Sequence, residues 1–112
     1  MNSECAIEAL GALAHEHRLA LFRLLVRAGA KGMAAGMIAE RLGVPNSSLT
    51  FHLNQLRSAG LIRQERQHRS LIYRADFPAM DSLVGYLMEN CCADDDCNPG
   101  AECPTPVQEK IK

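Results

Sequence analysis

The sequence predicts a mainly α-helical domain with one small β-hairpin, on three observations. The stretch from Pro45 to Gly60 reads as a single helix with chemically marked ends. Two runs, Leu61-Ile62-Arg63-Gln64-Glu65 and Ser70-Leu71-Ile72-Tyr73-Arg74, follow it as strands around the polar turn Arg66-Gln67-His68-Arg69. Apolar residues recur at helical spacing in three segments upstream and again from Met80 to Met88. Helix then basic hairpin, flanked by further helices, is a winged helix-turn-helix in the order α-α-α-α-β-β-α.

Each element has its own signal. Ile7, Leu10 and Leu13 set a first amphipathic helix from about Glu4, and Leu19, Phe22, Leu25 and Val26 set a second that stops near Gly29. The step His15-Glu16-His17 marks the break between them. Lys31-Gly32 is a turn, after which Ala35, Ile38, Ala39 and Leu42 form a short helix ending at Gly43. In the central helix Asn46 or Ser47 is expected to cap the first turn, Pro45 bars a preceding helix from running in, and Gly60 supplies the left-handed residue that ends it. Leu49, Leu53 and Leu56 make its narrow apolar stripe, with Ser47, Ser48, Thr50, Asn54 and Gln55 on other faces. His52 lies near the stripe and reads as a buried, hydrogen-bonded histidine ahead of a base contact. Phe77-Pro78 then breaks the strand, and Met80, Leu83, Val84, Leu87 and Met88 repeat at helix spacing through Asn90. Pro99, Gly100, Pro104 and Pro106 with several acids predict an extended tail, dividing the chain into a domain over 1–92 and a tail over 93–112.

A chain of 112 residues makes one small domain, which buries only about 60 to 70% of its unfolded surface, so oligomerisation is expected on size alone. No apolar run is long enough to span a bilayer and the N-terminus lacks a signal-peptide layout, so no membrane role and a cytoplasmic location are expected, with reduced cysteines. The formal net charge of −1 hides a segregation. Arg41, Arg57, Arg63, Arg66, Arg69 and Arg74 stand against the single acid Glu65, whereas from Asp76 onward eight acids face only Lys110 and Lys112. The basic stretch coincides with the central helix and hairpin, where short polar side chains suit close approach to base edges and phosphates. An enzyme is disfavoured: no nucleophile, base and orienting group are clustered, and no glycine loop would cradle a phosphate.

The sharpest chemical signal is Cys91-Cys92-Ala93-Asp94-Asp95-Asp96-Cys97, with Cys103 beyond it. Soft thiolates select thiophilic ions, and three sulfurs without a histidine suit the trigonal-pyramidal geometry of trivalent arsenic or antimony. Cys97 is the nearer third ligand and Cys103 its substitute, since the longer loop costs slightly more closure entropy. A four-cysteine zinc or cadmium site and a redox dithiol stay open; adjacent cysteines depart from the Cys-x-x-Cys spacing of closed zinc sites. Cys5 reads as a chain-end thiol outside the site.

The run Ser-Ser-Leu-Thr-Phe-His-Leu-Asn-Gln-Leu-Arg-Ser-Ala-Gly-Leu-Ile over 47–62 closely resembles the ArsR/SmtB family of metal-responsive repressors, and the resemblance extends over roughly residues 7 to 92. It implies a homodimer on a double-stranded operator. Major-groove contacts would come from Asn46, Ser47, Ser48, Thr50 and Phe51, and wing-tip contacts from Gln67, His68 and Arg69. Phe51 is the odd member: it touches a thymine methyl or folds back as core. The dimer face would join the first and last helices through Ile7, Leu10, Leu83 and Leu87. The Cys-x-Cys pair of many relatives would fall on Ala34 and Gly36 and is absent, and no histidine follows His68 to form a last-helix Asp/His site. The expected function is therefore a repressor that leaves its operator when As(III), or Sb(III), binds the C-terminal cysteines. Competing readings are a thiol-oxidation or cadmium/zinc-responsive regulator on the same scaffold, and a zinc-stapled interaction module without DNA function.

Overall fold

The computed structural model describes residues 1–94. Along them run α1 (Ser3–Leu13), α2 (Glu16–Ala28), β1 (Met33–Ala34), α3 (Ala35–Leu42), α4 (Asn46–Ser58), β2 (Ile62–Gln67), β3 (Ser70–Ala75) and α5 (Phe77–Met88), with a 3-10 turn at Gly29–Lys31. This is the expected order with β1 added. That two-residue strand pairs antiparallel with β3, Met33 opposite Tyr73 and Ala34 opposite Ile72, making a sheet in the order β1-β3-β2. Gly32 makes the pairing possible: it has φ 69°, and a Cβ there would stand 2.5 Å from the Tyr73 carbonyl oxygen.

The core forms where α2, α3 and α4 meet the sheet. Leu21 and Leu25 of α2, Ile38 of α3 and Leu56 of α4 are fully buried, joined by Leu49, Leu53, Leu61, Ile62 and Tyr73. The expected stripe of α4 thus faces inward as a unit. The first helix behaves differently. It buries Ala6, Ala9 and Ala12, while Ile7 and Leu10 stay 66% and 42% exposed. Alanines at every third position let the α1 backbone pack closely, which leaves its larger side chains on a second surface. In α5 the expected interface residue Leu83 is instead buried in the protomer's own core, and Val84 takes the exposed position beside Leu87 and Met88. One residue along a helix is a rotation of about 100°, enough to change its partner.

Helix ends explain further differences. Pro45, not Asn46 or Ser47, occupies the cap position of α4, in extended backbone, and no side chain caps the helix. Gly60 is left-handed at φ 80°, as expected. Asp76 caps α5 by accepting from the Ala79 N–H at 3.0 Å, and Pro78 sits in the first turn, where its missing N–H costs nothing. The last helix therefore starts earlier than expected and stops at Met88. The hairpin is also longer: β2 and β3 pair out to Gln67 and Ser70, leaving only His68 and Arg69 as the turn, with His68 at φ 57°.

Candidate nucleic-acid interface and thiol pair

With Leu49, Leu53 and Leu56 turned inward, α4 presents Asn46, Ser47, Ser48, Thr50 and Phe51 to solvent. Phe51 is 56% exposed, which removes the core alternative. Its ring meets the edge of His52, at a centroid separation of 5.7 Å. The Thr50 hydroxyl donates to the Asn46 carbonyl at 3.0 Å, so its oxygen is left to accept. No side chain caps α4, so its first N–H groups have no side-chain acceptor.

The hairpin refines the basic patch. Arg63 and Arg74 stand directly opposite each other in the ladder, and each is answered by an acid: Arg63 Nε binds Asp76 Oδ2 at 3.0 Å, and Arg74 Nη2 pairs with Glu65 Oε1. Those two cations stabilise the wing's base. Arg41, Arg57, Arg66 and Arg69 are exposed and form no ion pair among the described residues, and Gln67, His68 and Arg69 crowd the exposed tip. Burial alone would raise the Asp76 carboxyl pKa, but the Ala79 N–H and Arg63 outweigh it and hold the group below its usual value. One carboxylate thus ties the wing to the start of α5.

His52 is buried as expected, at 7% exposure. Its surroundings were not legible beforehand: the rings of His15 and His17 lie 4.7 and 5.7 Å from its own, and Arg18 Nη1 is 3.5 Å from its Nδ1. The only hint in the sequence was the clustering of two histidines at the α1–α2 break.

An exposed polar reading face, an open helix N-terminus and a cationic wing tip on a three-helix core define a winged helix-turn-helix DNA-binding transcriptional regulator. Residues 13–65 match a helix-turn-helix domain model. The chain is 30% identical over 88 residues to the nodulation protein NolR of Rhizobium meliloti, spanning 79% of this chain and 70% of that protein. It belongs to the ArsR/SmtB family of winged-helix regulators. An ArsR-like transcriptional regulator from Rhodococcus sp. RHA1 superposes with a TM-score of 0.69 at 25% identity, over 81% of this chain and 82% of that one. HlyU of Vibrio cholerae, a transcriptional activator, matches at 26% identity over 91 residues, 81% of this chain and 82% of that protein. Its reduced form superposes with a TM-score of 0.59 at 28% identity, over 77% of this chain and 90% of that one.

The expected metal ligands divide. Cys91 and Cys92 lie beyond the end of α5 rather than within it, in successive turns where Cys91 N–H donates to the Met88 carbonyl at 3.0 Å. Asn90 and Cys92 take left-handed backbone, at φ 61° and 62°. The two Sγ atoms are 3.6 Å apart. At that separation one thiol donates a weak hydrogen bond to the other, and either can be the donor. Cys97 and Cys103 lie outside the described residues, and among the described residues no third ligand completes a site. Two cavities, of about 320 Å³ between α1 and α4 and about 420 Å³ between α2 and α3, are lined by none of the expected DNA or thiol residues.

Proposed function

We propose that the protein is a homodimeric repressor that holds a palindromic operator in its ligand-free state and releases it when trivalent arsenic, or antimony, binds Cys91, Cys92 and a third thiol from Cys97 or Cys103. The observation that carries this reading is the 3.6 Å separation of two sulfurs placed just past α5. Three thiols condense with arsenous acid, As(OH)3 + 3 RSH giving As(SR)3 + 3 H2O, so every proton leaves as water and no net charge is added.

Dimerisation is supported by an unpartnered apolar surface. Ile7 and Leu10 of α1 are exposed, as are Val84, Leu87 and Met88 of α5, and the two helices touch within the protomer. Two copies joined there would present two reading helices to half-sites about one DNA turn apart. Drawing the segment after Met88 into a thiolate site pulls on the C-terminus of the interface helix, which biases the spacing of the reading helices. Coupling of this kind is typically about 1 to 3 kcal/mol.

The same sulfur spacing favours a second reading, in which peroxide oxidises the pair: two thiols lose two protons and two electrons and form one S–S bond while peroxide becomes two waters. Anisotropy titration of operator-bound protein with arsenite, antimonite, cadmium, zinc and peroxide separates the two. Release by arsenite at near-stoichiometric amounts supports the first; release by peroxide alone supports the second.

A further inference from the structure

We propose that His15, His17 and His52 form a proton-responsive latch: as neutral imidazoles they dock the reading helix on the start of α2, and their protonation loosens that docking and weakens DNA binding. The inference rests on the DNA-binding reading of α4 and adds an input independent of the thiols.

Two of the three rings are fixed as acceptors by their partners. His15 caps α2, its Nδ1 accepting from the His17 N–H at 3.1 Å. An imidazolium has only donors, so protonating His15 removes this cap and places a positive charge at the positive end of the helix dipole. His52 Nδ1 stands 3.5 Å from Arg18 Nη1, and a guanidinium can only donate. A proton on that nitrogen would oppose two cations across a partly buried contact. Arg18 has little freedom to retreat, because its Nε donates to the Ala12 carbonyl at 2.6 Å. His17 completes the triangle, 5.6 Å from His15 and 5.7 Å from His52 by ring centroid.

Among the described residues, every charged or titratable group that faces His52 disfavours its protonation. Those groups are His15, His17 and Arg18 from the start of α2; Glu8 of α1 lies a turn further along α4, beside Gln55 and Ser58. No carboxylate bonds to any of the three rings among the described residues. Burial foremost, then His15, Arg18 and His17, push the His52 pKa below 6.5. A depressed histidine pKa means that the docked state is fully favoured above about 6.5 and loses stability as pH falls through the folded value. His52 immediately follows Thr50 and Phe51, so a loosened ring moves the reading face itself.

The direction sets this apart from ordinary electrostatics. Acidification makes any protein more positive, which by itself strengthens attraction to phosphates. Operator affinity would be measured by anisotropy from pH 7.5 to 5.5 at constant ionic strength, with circular dichroism confirming that the fold persists. The wild type should weaken about tenfold over this range. The double variant His15→Asn/His52→Gln keeps a capping side chain and an acceptor for Arg18 yet cannot be protonated at either of those two positions. It should bind within about threefold of wild type at pH 7.5 and lose the acid weakening. Affinity at pH 7.5 reports on DNA binding itself, and the slope with pH reports on the latch. Wild-type affinity that stays flat or rises on acidification overturns the proposal, as does a double variant that weakens like wild type. If the double variant does not fold, imidazole Cε1 proton shifts in the wild type decide: cluster titration must coincide with the affinity midpoint, and a midpoint elsewhere overturns the latch.

Discussion

Replacing Asp76 by alanine tests how the wing and the last helix are held together. Two interactions end on this carboxylate: one oxygen accepts from Ala79 N–H at 3.0 Å as the cap of α5, and the other binds Arg63 Nε at 3.0 Å. Loss of a side-chain N-cap costs about 1 kcal/mol. The ion pair contributes less, because the Arg63 side chain is 70% exposed, and screening holds such pairs to about 0.5 kcal/mol or below. Arg63 would also be left facing Arg74 across the ladder, a penalty of a few tenths, roughly 0.2 to 0.5 kcal/mol. The sum is about 1.5 kcal/mol, a drop in Tm of roughly 6 to 10 °C for a domain of this size. Thermal unfolding followed by circular dichroism at fixed protomer concentration measures it. Because the folded pKa of Asp76 lies below 3.8, its contribution is complete above that value and is lost as pH falls through the depressed pKa. The gap between wild type and Asp76→Ala should therefore narrow as pH is lowered toward 3, while Asp76→Asn, which still caps but loses the ion pair, should lose only about 0.5 kcal/mol at neutral pH. An alanine variant as stable as wild type at pH 7, or a gap constant down to pH 3, would refute the reasoning.

Phe51→Ala should weaken operator binding by about 1 kcal/mol or more with Tm unchanged within a degree or so, because the ring is exposed and contributes little to the core; a large Tm loss with normal binding would contradict the outward assignment. Arg66→Ala and Arg69→Ala should weaken binding to all sequences alike and each lower the salt slope by about 1, whereas Ser47→Ala or Thr50→Ala should alter base preference across single-base operator variants. Leu87→Asp should yield monomers by sedimentation at concentrations where wild type is dimeric, and lose operator binding with them, since an aspartate there must be buried unpaired in a dimer.

Much of this was legible in the sequence because local chemistry and tertiary packing agreed. Pro45 and Gly60 bracket α4 in both, Leu49, Leu53 and Leu56 point inward as their spacing demands, and the two strands after α4 form the expected hairpin, with a tighter turn. The misreadings fall where packing chose between locally equivalent options. Alanine carries little hydrophobic signal, so the spacing did not point to the Ala6, Ala9 and Ala12 face that the core uses, while Ile7 and Leu10, expected at a dimer face, are exposed. Leu83 and Val84 are adjacent apolar residues, and only the approach of the protomer's other helices decides which is enclosed. A two-residue strand such as β1 has no period of its own and exists through Tyr73 and Ile72. The meeting of His15, His17 and His52 joins positions 37 residues apart at its extremes, a separation that no local pattern reports.

The central claim is that the thiols past α5 sense arsenic, and the most direct test is release of fluorescent operator by arsenite from wild type and from Cys91→Ser, Cys92→Ser, Cys97→Ser and Cys103→Ser proteins. Wild type should lose about 5- to 150-fold in operator affinity, the range of a typical allosteric coupling. Cys91→Ser, Cys92→Ser and Cys97→Ser should each bind operator normally and keep it in arsenite, with Cys103→Ser affected less. Normal arsenite release from both the Cys91→Ser and Cys92→Ser proteins would contradict the account.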